Sequence, residues 1–154
     1  MKVLLSIKPE FVEKIISGEK KFEFRRKIFK KDVESVIIYA SSPWQMVIGE
    51  FLIDDIIGSE LNLLWEKTHK FSGIEEDFFW QYFKGTEYGY ALKIGKLQLY
   101  DSPKMIDIFG VKPPQSYVYI QHQPIVSQIE ELVDKILTVK KQNPQADTKI
   151  LKMK

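Results

Sequence analysis

Residues 18–26 of the chain read GEKKFEFRR, in which aromatic and charged side chains alternate. Successive side chains of a β-strand point to opposite faces, so Phe22 and Phe24 share one face of such a strand. Glu23 and Arg25 share the other face. The phenylalanines suit a hydrophobic core, and the carboxylate and guanidinium then project together from the opposite side. We therefore predict that this stretch forms a strand whose charged face carries a candidate site.

A short helix is predicted immediately before this strand. Residues 9–17 begin with a proline, which the first turn of a helix tolerates, and they carry apolar residues at helical spacing. Gly18 is the expected stop of this helix. Lys20 stands where the chain leaves the glycine turn, so its ammonium group can reach the area of Glu23 and Arg25. Three charged groups brought together by one tight turn form the candidate site.

The composition excludes several classes of site and of protein. The 154 residues contain no cysteine, which excludes disulfides, cysteine-ligated zinc, iron–sulfur clusters and thiol nucleophiles. The apolar run at the N-terminus is shorter than the roughly 7–15 residues of a secretory signal. No apolar stretch approaches the roughly 18 residues that a membrane span needs. We therefore expect a soluble, cytoplasmic protein that makes no contact with a membrane.

The sequence also predicts neither a metal site nor a cofactor. The chain has two histidines, His69 and His122, and their positions do not match the spacing of zinc ligands. A glycine-rich phosphate-binding loop that ends in Lys-Ser or Lys-Thr does not occur either.

Charge is unevenly distributed along the chain. The net charge is only +2, but the stretch from Lys20 to Lys31 contains seven Lys or Arg and one Glu. Acidic residues gather elsewhere, for example at 54–60 and 130–134. This polarity permits an anionic partner without requiring one.

The remaining pattern predicts a mixed α and β domain. Strands are expected at residues 2–7, 20–26, 35–40, 45–57, 88–100 and 116–120, and helices at residues 9–17, 60–67, 74–83 and 124–137. Because the helices are inserted rather than alternating regularly with strands, we expect an α+β fold: a small, mixed, mainly antiparallel β-barrel with helices packed outside it. Residues 1–138 are predicted to form one domain, and residues 139–154 a basic, flexible tail.

The pattern Gly18-x-Lys20-x-x-Glu23-x-Arg25 resembles the signature of the ASCH domain family, whose members are small β-barrels of the PUA-like superfamily. Four flanking pieces also resemble members of that family: LSIKP at residues 5–9, YASSP at 39–43, GEF at 49–51 and PPQSY at 113–117. The resemblance covers residues 3–120 and leaves the C-terminal helix and tail outside. It is consistent with a bacterial protein.

The resemblance implies a cleft between the barrel and its helices that suits RNA or a nucleotide-like ligand. Lys20, Glu23 and Arg25 are expected at the lip of this cleft. An arginine offers a planar pair of donors, a lysine a mobile charge, and a glutamate an acceptor for amino groups. The full set of predicted ligand-binding residues is Lys8, Lys20, Glu23, Arg25, Tyr39, Ser41 and Ser42. Binding of RNA or of a modified nucleotide is the leading hypothesis for function.

An enzyme that uses the same cleft is the first alternative. Some relatives hydrolyse acylated cytidine with a catalytic lysine and threonine, and others are ribonucleases. Lys20 matches the lysine, but Glu23 stands where those amidohydrolases have the threonine, and their glutamate does not align clearly with residues 60–76. If the protein is an enzyme, Lys20 and Glu23 are the expected catalytic residues. Burial beside Arg25 would lower the pKa of Lys20, whereas pairing with a carboxylate would keep it charged.

Two further alternatives stay open at this stage. The protein could be an interaction module of a transcription or translation complex, with a protein partner bound through exposed aromatics and the C-terminal helix. The charged residues of the motif could also form an ordinary surface ion pair, which contributes about 0–1 kcal/mol to stability.

Overall fold

The computed structural model describes residues 1–121 and 125–143. Its strands are β1 (Lys2–Ile7), β2 (Phe22–Arg25), β3 (Ser35–Ala40), β4 (Met46–Glu60), β5 (Tyr88–Lys104) and β6 (Tyr117–Ile120). Its α-helices are α1 (Pro9–Ser17), α2 (Leu61–Thr68), α3 (Glu76–Tyr82) and α4 (Ile125–Gln142). Single turns of 3-10 helix lie at His69–Phe71 and Ile106–Phe109.

The predicted elements are present, with small shifts at their ends. Helix α1 ends at Gly18, whose φ of 84° is the left-handed conformation that glycine adopts at helix ends. Strand β2 begins two residues later than predicted. The reason is that the backbone N–H groups of Lys20 and Lys21 donate to the carbonyl oxygens of Lys14 and Phe71, not to a neighbouring strand.

The six strands form one sheet in the order β2-β5-β4-β3-β1-β6. Only β1 and β3 pair in parallel, because the chain crosses over between them through α1 and β2. All other neighbours are antiparallel. The predicted α+β class with a mainly antiparallel sheet is therefore confirmed. The expected barrel is not closed, because β2 and β6 form the two edges and do not pair with each other.

Strand β3 lies inside the sheet and is buried along its whole length, as its run of apolar residues predicts. Val36 and Ile38 point into one hydrophobic cluster with residues of β1 and α1. Ile37 and Tyr39 point into a second cluster on the other face. A third cluster joins β2 to α2 and α3, and Phe24 belongs to it. The apolar side of the 18–26 stretch is thus anchored beneath the helices.

Gly49 in β4 lies at a bulge and at a close approach of two backbones. The pairing register of β4 shifts next to this residue on each of its sides. A Cβ atom at this position would lie 2.5 Å from the carbonyl oxygen of Gln98 in β5. Glycine is therefore required for the two strands to approach each other here.

Helix α4 extends further than the sequence pattern indicates. It runs to Gln142, so residues 139–142 of the predicted tail are helical. Residues 144–154 of that tail lie outside the described residues, and so does His122. Apolar side chains along α4, including Ile129, Leu132 and Ile136, are about half exposed. The division into a domain and a tail stays a prediction, as does the interaction-module hypothesis.

Within the described part of the chain, no helix is both long and apolar enough to cross a membrane.

Candidate functional site

The seven side chains selected from the sequence line a single cavity of about 540 Å³. They are Lys8, Lys20, Glu23, Arg25, Tyr39, Ser41 and Ser42. They come from three separate segments of the chain, so the fold itself gathers them. The charges, burial and hydrogen bonds of these side chains indicate what the cavity can bind.

Lys8, Ser41 and Ser42 meet because β1 and β3 are parallel neighbours. Ile7 and Ala40 end these strands at the same level of the sheet, and the N–H of Ser41 donates to the carbonyl oxygen of Ile7 at 2.9 Å. The residues that follow each strand are therefore side by side. The crevice beyond the carboxyl ends of parallel strands is a common position for ligands in α/β folds.

Glu23 and Arg25 are held by the pairing of β2 with β5, opposite Leu92 and Tyr90. These two residues are only 8% and 9% exposed, so the alternative of an exposed surface ion pair does not hold. The ion pairs between described residues lie elsewhere, at Met1–Glu34 and Lys2–Glu50. The charged face of the strand is buried because α3 and the loop before β6 form the opposite walls of the cavity.

Three polar atoms of this face have no hydrogen-bond partner within the protein. They are Oε2 of Glu23 and Nε and Nη2 of Arg25. A buried polar group without a partner costs about 1–3 kcal/mol, and more when it is charged. An apolar pair of side chains would avoid this cost. The unpartnered atoms therefore indicate a surface shaped for something other than the stability of the fold.

Lys20 is enclosed more tightly than the other charged residues of the cavity. Its Nζ donates to the carbonyl oxygen of Ser72 at 2.9 Å and lies 5.0 Å and 5.3 Å from the ring centres of Phe24 and Phe11. Burial lowers the pKa of Lys20 from the ordinary lysine value, against the opposing attraction of Glu23. Of the two alternatives left open by the sequence, the structure favours the lowered pKa.

A loop between α2 and α3 holds Lys20 in place. Lys14 Nζ donates to the carbonyl oxygen of Gly73 at 2.9 Å, next to the Ser72 carbonyl that receives Lys20. Gly73 has a φ of 68°, and a Cβ atom there would lie 2.5 Å from Cβ of Lys20. The loop and the lysine are thus in direct contact.

Two aromatic residues of α3 line the cavity, although the sequence pattern did not indicate them as site residues. Phe78 and Tyr82 stack with an interplanar angle of 8°, and both line the cavity. Phe79 and Phe83, one position further along, are fully buried in the core. The i, i+4 spacing of these two pairs is the signal in the sequence that separates the cavity face of this helix from its core face.

Tyr82 also links the helix to the charged strand. Its hydroxyl donates to the carbonyl oxygen of Phe24 at 3.1 Å. Burial raises the pKa of Tyr82, and the nearby Arg25 guanidinium opposes this shift. The tyrosine therefore stays protonated and lies close to Arg25.

The segment before β6 forms the remaining wall, and its position was not predicted either. Pro113, Pro114 and Gln115 line the cavity, and the hydroxyl of Ser6 donates to the Pro114 carbonyl oxygen at 2.5 Å. This contact ties the segment to β1. Only the tertiary fold brings it to the site, since nothing local in the sequence links it to β2.

The described residues contain no group of three or more His, Cys, Asp or Glu side chains that could hold a metal ion. None of the glutamates of the 60–76 segment lines the cavity. Glu76, for example, instead accepts a hydrogen bond from Trp65 Nε1 at 2.8 Å. The chemistry of the site therefore rests on Lys20, Glu23 and Arg25 together with hydroxyls and aromatic rings.

Comparison with known proteins places this geometry in context. The ASCH domain model matches residues 5–111. A Zymomonas mobilis protein named ASCH domain-containing ribonuclease is 29% identical over 138 residues, which cover 82% of this chain and 93% of the relative. The crystal structure of ASCH from Zymomonas mobilis has a TM-score of 0.73 at 29% identity, covering 86% of this chain and 94% of that one. An ATP synthase subunit alpha of Ureaplasma parvum is 29% identical over 121 residues, but these cover only 15% of its length.

Proposed function

The chain belongs to the ASCH domain family, and from that premise we propose that it binds RNA, or a modified nucleotide, in the cavity beside β2. One base enters the cavity and meets Glu23 and Arg25. Lys8 and the hydroxyls of Ser41 and Ser42 lie where the sugar and phosphate of that nucleotide leave the cavity.

The observation that carries this proposal is the set of three unpartnered polar atoms on Glu23 and Arg25. A nucleobase supplies both acceptors and donors in one plane, so it can satisfy the guanidinium and the carboxylate together. Binding then recovers the energy that burial of these groups costs the free protein.

The aromatic residues support the same function. Phe78 and Tyr82 are aromatic residues of the cavity wall, and stacking of a base on an aromatic side chain is worth about 1–3 kcal/mol. Because every base has a π face, this contribution supports affinity for nucleotides in general, while the polar atoms supply discrimination.

The test is a screen of nucleosides, nucleotides and a short single-stranded RNA, with binding and product formation recorded in the same samples. We expect Arg25→Ala to weaken binding by at least about tenfold, since charge-assisted hydrogen bonds are worth about 1.5–3 kcal/mol. The matched control, compared for the nucleosides and nucleotides only, is Arg26→Ala, because Arg26 is exposed and does not line the cavity. Binding that survives Arg25→Ala, or that Arg26→Ala weakens equally, contradicts the proposal.

Cleavage of RNA is the second candidate function, and one observation favours it. Burial in the cavity lowers the pKa of Lys20, so its ammonium loses a proton at a lower pH than that of an exposed lysine. The neutral amine that results can act as a general base. A neutral Lys20 accepts the proton of a ribose 2′-hydroxyl, O2′ bonds to phosphorus, and the bond from phosphorus to O5′ breaks. The proton returns from Lys20 to O5′, and Arg25 stabilises the charge on the phosphate. The products are a 2′,3′-cyclic phosphate and a 5′-hydroxyl.

The screen separates the two functions. If wild type produces RNA with cyclic phosphate ends and neither Lys20→Met nor Glu23→Gln does, cleavage is supported. Binding without any product, lost in Arg25→Ala, supports recognition alone. The acylated-cytidine alternative has weaker support, since position 23 has no hydroxyl and the glutamates of residues 60–76 do not line the cavity.

A further inference from the structure

We propose that the cavity selects guanine and cytosine over adenine and uracil. This inference rests on the proposed function, because it concerns the base that the same site accepts. It follows from which atoms of Arg25 and Glu23 are left without a partner.

The two unpartnered nitrogens of Arg25 belong to one edge of its guanidinium. Nε and Nη2 point their N–H bonds in the same direction, so together they form a flat pair of parallel donors. Such a pair is satisfied only by two neighbouring acceptors in one plane. A single acceptor leaves one buried N–H without a partner.

Glu23 restricts the ligand further. It lies two residues before Arg25 on the same face of β2, which places the two backbone positions about 7 Å apart. Its Oε2 atom is a buried acceptor without a donor. A phosphate bound to Arg25 supplies no donor for this oxygen and is repelled by the carboxylate. The ligand that fits therefore offers a pair of acceptors with an N–H group close beside them.

Guanine and cytosine have this arrangement. In guanine, O6 and N7 are neighbouring acceptors, and N1–H lies next to O6. In cytosine, O2 and N3 are neighbouring acceptors, and the N4 amino group lies next to N3. Adenine has no two neighbouring acceptors on any edge, and the two carbonyl oxygens of uracil are separated by N3–H. Adenine and uracil therefore leave one donor of Arg25 unpaired.

Because the site is buried, this difference in hydrogen bonding becomes a difference in affinity between the bases. Glu23 and Arg25 are 8% and 9% exposed, so water competes poorly for their polar atoms. A well-formed pair of hydrogen bonds to a base discriminates against the wrong base by about 5- to 150-fold. We expect guanosine and cytidine 5′-monophosphates to bind at least about tenfold more tightly than adenosine and uridine 5′-monophosphates.

The experiment is isothermal titration of the full chain with these four monophosphates, with inorganic phosphate, and with 7-deazaguanosine 5′-monophosphate. The deaza analogue keeps the shape and ring stacking of guanine but lacks the N7 acceptor. We expect it to bind roughly tenfold more weakly than the guanosine nucleotide if guanine is the base accepted. Zebularine 5′-monophosphate, which lacks the N4 amino group, is the corresponding probe for cytosine.

Variant Arg25→Lys provides the internal control, since lysine keeps the charge but loses the paired donors. It should remove the preference for the parent bases over their analogues, with the fold checked by circular dichroism. Equal binding of all four monophosphates, or binding of inorganic phosphate as tight as that of the nucleotides, overturns the base selection but leaves nucleotide binding standing. Failure of every nucleotide and RNA to bind overturns the proposed function as well.

Discussion

At the scale of single residues, the candidate site is a place where burial opposes charge. Lys20, Glu23 and Arg25 are all more than nine-tenths buried, yet no ion pair within 4.0 Å links them. Burying charged groups destabilises a fold unless partners compensate. The protein keeps these groups in the cavity wall, which is typical of sites where function opposes stability.

The pH dependence of stability measures this cost for Lys20. Because burial lowers its pKa in the folded chain, the unfolded chain binds more protons between the folded and the ordinary pKa. Stability therefore rises with pH across that window. We expect Lys20→Met to increase the free energy of unfolding at pH values below the lowered pKa, where the ammonium is charged in the folded chain. This gain should shrink as the pH rises through the lowered pKa towards the ordinary value.

Denaturant unfolding at several pH values, for wild type and variant, checks this prediction. Lys21→Met is the matched control, since Lys21 is an exposed neighbour. A stabilisation by Lys20→Met that grows with pH would contradict the assigned direction of the pKa shift.

At the scale of elements, the loop between α2 and α3 positions the lysine that enters β2. The Lys21 N–H donates to the Phe71 carbonyl oxygen at 2.8 Å, and Ser72 accepts from Lys20 Nζ. The Ser72 hydroxyl in turn lies 3.1 Å from the carbonyl oxygens of both His69 and Ile74, and its single proton is donated to one or the other, which fixes the turn. The loop therefore fixes the position of the Lys20 side chain.

Gly73→Ala tests whether this loop positions Lys20. A left-handed conformation costs a residue other than glycine about 1–2 kcal/mol, and contact with Lys20 adds roughly 1–3 kcal/mol of overpacking. Gly110→Ala is the matched control, because Gly110 has a similar φ of 70° but nothing within 4 Å of its added Cβ. We expect both variants to lose stability, but only Gly73→Ala to weaken nucleotide binding. Thermal unfolding and titration on the same samples measure the two effects, and equal losses of binding would contradict the role of the loop.

At the scale of the whole molecule, the basic segment from Lys20 to Lys31 has two parts. Lys20 and Arg25 are buried in the cavity wall, whereas the other five basic residues are exposed: Lys21, Arg26, Lys27, Lys30 and Lys31. The buried part suits a base, and the exposed part suits the phosphates of a longer strand. This division explains how a chain with a net charge of only +2 can present a local cationic surface.

The salt dependence of binding checks this division. Affinity for single-stranded RNA falls with salt by a slope of about 0.7 for each neutralised phosphate. We expect the double variant Lys27→Ala, Lys30→Ala to flatten the slope by about 1.4 for an RNA of ten nucleotides and to leave mononucleotide binding unchanged. Lys96→Ala, an exposed lysine outside the cavity, is the control. If the double variant leaves the slope unchanged, Lys27 and Lys30 do not contact the RNA phosphates.

The sequence by itself determined the elements and the residue types of the site. Helix α1, its glycine stop, the buried strand β3 and the grouping of Lys20, Glu23 and Arg25 all follow from local spacing, because periodicity and backbone preferences act over a few residues. The tertiary structure decided the rest: the open sheet, the burial of the charged face, the direction of the Lys20 pKa and the aromatic wall from α3. These depend on contacts between distant segments, such as Phe24 with Ala91 and Ser6 with Pro114. Burial and pairing are set by what covers a residue, and local sequence does not contain that information.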